Sequence, residues 1–126
     1  MPEPATITIV CLGATDNGLR ALLRDVFDDM GLRLHFAPLW HCSPDLVLAA
    51  VQRRDAELVL AAACEVAGAA PILAILPYSD ERLVRLVRER GAHACYALDT
   101  PLAALRAAVD ALFPIVAARR AEVSHG

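Results

Sequence analysis

The chain has 126 residues, 57% of them hydrophobic and only 5% aromatic, with a formal net charge of −3. That length fits one domain, 1–126, and the apolar share excludes a disordered chain. The acidic balance leaves no basic footprint for nucleic acid, and all twelve basic residues are Arg, so chemistry that needs a lysine amine is excluded.

Residues 6–12 form a β-branched apolar run and predict a buried strand. Gly13 to Gly18 is a turn in which Thr15, Asp16 and Asn17 are candidate helix caps. Leu19, Leu22, Leu23, Val26, Phe27 and Met30 fall at helical spacing, and Gly31 is the stop. Residues 32–37 predict a second strand, followed by a loop over 38–42. Ser43-Pro44-Asp45 has the form of a cap, a first-turn proline and an acid at the positive end of a helix dipole, which predicts a helix to Arg54. Residues 57–63 predict a third strand and 71–76 a fourth. Ser79-Asp80 caps a helix ending at Gly91, and residues 94–98 give a fifth strand. Thr100-Pro101 opens a last helix that Pro114 ends or kinks, leaving 114–126 as a C-terminal extension.

Apolar strands alternating with amphipathic helices predict an α/β domain: a flavodoxin-like, doubly wound, five-stranded parallel sheet of order 2-1-3-4-5. On this reading only residues 64–70 join strands three and four, so the crossover helix there is missing or vestigial. The bared sheet, with Cys64, Glu65, Val66 and Trp40 as interface candidates, is expected to be covered by a second copy or a partner protein. Ligands of such folds sit at the carboxyl ends of the strands. The loops there bring Thr15, Asp16, Asn17, Gly18, Trp40, His41, Cys42, Tyr78, Ser79, Asp99 and Thr100. Cys11, Cys42, Cys64 and Cys95 have no Cys-x-x-Cys spacing and read as reduced, buried, small hydrophobes, with His41 and Cys42 the weak metal candidates. No apolar run is long enough for a membrane span, and the acidic start Met1-Pro2-Glu3-Pro4 is unlike a signal peptide, which predicts a cytoplasmic chain.

The stretch from Leu39 to Val59, with its Ser43-Pro44-Asp45, resembles the second loop, helix and third strand of the cobalamin-binding domain of the methylmalonyl-CoA mutase type. Leu12 to Gly18 falls where that family carries its Asp-x-His-x-x-Gly loop. Gly91 to Leu102 is similar to its last strand and following helix start. The resemblance implies cobalamin as the ligand, held in that family through the loop Asp and His. Those positions here are Gly13 and Thr15, and only Gly18 is kept. The glycines that admit the cofactor's tail fall at Ile75 and Leu76 and at Ala97 to Asp99.

Pro71 to Glu81, and on through Gly91 to Leu98, is similar to the fourth strand, helix and fifth strand of response-regulator receiver domains. That resemblance places the phosphoacceptor Asp at Ala62 and the magnesium-binding acids at Ala14 and Thr15, with Asp16 the one acid left. The family's lysine is absent from the chain. Both resemblances imply a scaffold without its reactive residues. The expected function is a non-catalytic regulatory or protein-interaction module with no cofactor. The alternatives are cobalamin or related tetrapyrrole binding without the loop histidine, and a phosphorylation-independent pseudo-receiver.

Overall fold

The computed structural model describes residues 7–14, 16–36 and 43–125. In chain order the elements are β1 (Thr8–Leu12), α1 (Asn17–Asp29), β2 (Arg33–Phe36), β3 (Leu46–Ala50), α2 (Ala56–Ala67), β4 (Ile72–Leu76), α3 (Glu81–Glu89), β5 (Ala94–Ala97) and α4 (Leu102–His125). Every strand pairing is parallel and the order is β2-β1-β3-β4-β5, the doubly wound arrangement the sequence predicts.

Side chains alternate between the two faces of each strand, so each face carries its own core. On one face Ile9, Cys11, Leu48, Leu73 and Ile75 pack under Leu23, Val26 and Phe27 of α1 and Leu105, Val109 and Leu112 of α4. On the other, Val47, Ala49, Ile72, Ala74 and Leu76 pack under Leu60 and Ala63 of α2 and Leu83 and Val87 of α3. β3 and β4 are buried at every residue. α1 is capped by Asp16, whose carboxylate accepts the Leu19 N–H. α3 is capped by Asp80, which accepts from the N–H groups of Arg82 and Leu83.

The middle of the chain folds differently from the sequence expectation. Residues 46–50 are not a helix but β3. Asp45 is not a helix-dipole acid: its Oδ2 accepts the Thr8 N–H at 2.8 Å and ties the start of β3 to β1. Residues 57–63 are not a strand but most of α2, in which Ala56, Leu60, Ala63 and Ala67 form the buried stripe. The crossover between β3 and β4 is therefore not missing, because α2 fills it. Cys64, Glu65 and Val66 lie on that helix and not in an edge loop. The short connection is the preceding one. β2 ends at residue 36 and β3 begins at 46, leaving nine residues, 37–45, fewer than the roughly ten to twelve of a crossover with its helix.

The last helix also departs from expectation. α4 runs unbroken through Pro114 to His125, so residues 114–125 prolong it. The proline is on an exposed position, and Val116 beyond it is buried in the sheet's core. Farther on, the Arg119 guanidinium donates to the Pro44 carbonyl at 3.2 Å, fastening the helix to the start of β3. No helix among the described residues is long and apolar enough to cross a membrane.

Two substitutions separate the helical from the extended reading of 57–63. In a strand Leu58 and Leu60 would share a face; in α2 Leu60 is fully buried and Leu58 is 76% exposed. In dilute protein, Leu60→Ala is expected to destabilise the fold by about 2–4 kcal/mol, and Leu58→Ala by less than about 0.5 kcal/mol, as measured by urea unfolding.

Candidate functional site

The carboxyl edge of the sheet is formed where β1, β3, β4 and β5 end. Gly13 follows β1 with φ +83°, and a Cβ built there would stand 2.2 Å from the Ala50 carbonyl oxygen. The two strand ends thus meet through backbone, with no room for a side chain between them. The cavity above them holds only about 80 Å³, with Gly13, Ala50, Val51, Ile75, Pro77 and Leu98 among its walls. Asp16 also borders it, but its carboxylate is engaged by the Leu19 N–H at 2.8 Å.

Asp99 and Ser79 close the edge at the ends of β4 and β5. Ser79 donates both its backbone N–H, at 3.0 Å, and its hydroxyl, at 2.9 Å, to Asp99 Oδ1. Those two donations hold the exposed Asp99 carboxyl below its ordinary range. Ser79 is thus a latch between loops rather than a helix cap. The Thr100 hydroxyl donates to the Ala97 carbonyl and so is not a helix cap either, and the Tyr96 hydroxyl donates to the Thr100 carbonyl at 2.8 Å. Tyr78 is exposed and Asn17 and Gly18 form the exposed start of α1. Thr15, Trp40, His41 and Cys42 lie outside the described residues, and among the described ones no group of three or more His, Cys, Asp or Glu side chains could hold a metal.

The cysteines do not form one class. Cys11 is buried, and burial pushes its thiol up to about 12, against the opposing pull of the Arg20 charge. Cys95 is half-buried and its thiol is also raised by burial, offset by the nearby Arg88. Cys64, expected to be buried, is exposed on α2, with its thiol 3.4 Å from the Arg90 carbonyl.

A larger feature is absent from the sequence expectation. Between α3, β5 and the start of α4 lies an open groove of about 760 Å³. Val84, Tyr96, Ala97 and Ala104 line it, with Asp80 and Glu81 toward the carboxyl edge and Arg85 and Arg88 farther along α3. In sequence, Arg85 stands four residues from both Glu81 and Glu89, which fits a solvated helix face. No local signal reveals the groove, because its walls come from three separated elements.

No protein-family model matches the chain, and no curated protein does. Solved structures do. A two-component response regulator from Clostridium difficile superposes with TM-score 0.71 at 14% identity, covering 86% of this chain and 97% of its own. A CheY-like response-regulator receiver domain protein from Methanospirillum hungatei gives 0.70 at 12%, covering 94% and 99%. NtrX from Brucella abortus gives 0.78 at 17%, covering 95% of this chain and 29% of the longer NtrX chain. The fold is that of the receiver domains.

This corrects two expectations. The cobalamin-binding resemblance rested most on 39–59 as loop, helix and strand, but in its described part, 43–59, the chain forms β3, a turn and the start of α2; these structural likenesses lend it no support. The phosphoacceptor position does not fall at Ala62, which is half-buried in α2. The residue that ends the third strand, against Gly13, is Ala50.

Two measurements check this edge. Gly13→Ala is expected to destabilise the fold by about 2–4 kcal/mol in chemical unfolding, because the added methyl meets the Ala50 carbonyl at a positive φ. Followed by NMR, the Asp99 carboxyl should titrate below the ordinary carboxylate range, and Ser79→Ala should move the midpoint up. The latch accordingly stabilises the loops above the ordinary carboxyl pKa and is lost as pH falls through the lowered folded value.

Proposed function

We propose that this chain is a phosphorylation-independent, receiver-like module of signal transduction that acts by binding protein partners rather than by catalysis. One observation carries the reading: the carboxyl edge holds Ala14 and Ala50 where phosphotransfer in a receiver needs carboxylates for magnesium and for the phosphoryl group, and Asp16, the one acid left there, is engaged in capping α1. Ala14 is buried in the core, and Leu98 beside it is apolar. The chain has no lysine to balance a phosphoryl charge. Substrate would also need space, and the cavity above these strand ends holds only about 80 Å³.

What persists is a sheet packed under helices on both faces that presents surfaces. The groove between α3, β5 and α4 has an apolar floor and charged rims of both signs, the composition of a site for an amphipathic segment.

Incubation with acetyl phosphate and magnesium tests the reading, with an active receiver labelled alongside. The intact mass of this chain should show no added phosphoryl group while the control gains one. Stoichiometric, acid-labile phosphorylation of this chain would overturn the proposal.

A further inference from the structure

α2 is apolar on more than its buried side. Ala56, Leu60, Ala63 and Ala67 face the sheet. Glu57 and Cys64 turn toward α3, where Glu57 pairs with Arg90 at 2.8 Å and Cys64 meets the Arg90 carbonyl. Leu58, Ala61 and Glu65 follow one another at three- and four-residue spacing on the side away from the sheet, and all three are exposed. Leu58, at 76%, is the most exposed of the large hydrophobic side chains described. Arg54 stands in the turn just ahead of the Asp55 N-cap, four residues before Leu58, also exposed.

The stripe Leu58, Ala61, Glu65, with Arg54 in the turn before it, is basic at one end and acidic at the other. Neither Arg54 nor Glu65 takes part in an ion pair among the described residues, whereas Arg53 pairs with Asp80 and Glu57 with Arg90. A second copy of the same stripe, laid antiparallel, satisfies both ends at once. A twofold axis between residues 59 and 60 sets Arg54 against Glu65 and Leu58 against Ala61, each pair occurring twice. A large side chain then meets a small one, which lets the two helices approach closely. Like charges would meet if the two helices lay parallel in register, so the charge pattern selects the antiparallel arrangement.

We propose that this stripe of α2 is a self-association surface on which a second copy of the chain docks antiparallel. The contact is a single helix face and buries less than the roughly 800 Å² per partner of a standard interface, so the dimer is weak, with a dissociation constant on the order of 100 µM. The inference stands apart from the phosphotransfer reading, since mass labelling and self-association are read separately.

Sedimentation equilibrium of the full chain tests it, with circular dichroism to confirm that each variant is folded. The wild type should show a monomer–dimer equilibrium. Leu58→Glu should raise the dissociation constant at least ~10-fold. Arg54→Glu and Glu65→Arg, each alone, should weaken self-association roughly 10-fold, because each sets like charges opposite one another twice. A one-to-one mixture of those two variants should recover the wild-type constant within about 3-fold, because only the mixed pair restores opposite charges at both ends. A wild type that stays monomeric at about 1 mM would overturn the proposal, as would Leu58→Glu without effect or a mixture that associates no better than its components.

Discussion

The structure depends on β3 being inserted between β1 and β4 and buried along its whole length. A strand with no exposed residue must have both ladders paired and both faces covered. Those demands fix its neighbours. Its ladders are Ile9 to Leu46 on one side and Val47 to Ile72 on the other. Its start is held by Asp45 on the Thr8 N–H and by Arg119 on the Pro44 carbonyl. Its second face needs a helix, and the next chain segment long enough to provide one is α2. The assignment of 56–67 as helical follows from this burial as much as from its own residues.

The same constraint shapes the carboxyl edge. β1 and β3 lie so close that Gly13 packs its backbone against Ala50, and only a small cavity of about 80 Å³ lies above them. What polar chemistry persists there is structural: Asp16 and Asp80 cap helices, and Asp99 holds Ser79. The surfaces with unspent apolar area lie elsewhere, in the groove beside β5 and along the outer side of α2.

Much of the architecture was legible in the residues. β1, α1, β4, α3 and β5 each carry one unambiguous period and a stop or cap of the right kind. The segment from Ser43 to Ala67 does not. Leu46 to Ala50 is a short apolar run that fits either period, and Ser43-Pro44-Asp45 mimics a helix start. In α2 the exposed Leu58, Ala61 and Val66 are as apolar as the buried Leu60 and Ala63, so only Glu57 and Glu65 set off the helical stripe. The two errors compensate: exchanging helix and strand there keeps the strand count and order while moving the short crossover by one unit. Of the candidate residues, Asp16, Ser79 and Asp99 lie at the edge, but Ser79 and Asp99, which bond each other, are twenty residues apart in the chain and have no local signature.

By itself, then, the sequence determined the fold class, the parallel order and the absence of a complete set of phosphotransfer residues. Composition and missing residue types decide those, and no contact can supply a lysine that the chain lacks. Only the tertiary structure decided which of two apolar segments became the third strand, where the short crossover lies, and which of the chain's many alanines and leucines reach solvent. A 57% hydrophobic chain is ambiguous segment by segment. The ambiguity is resolved when the central strand takes two neighbours, two covered faces and a full ladder of hydrogen bonds.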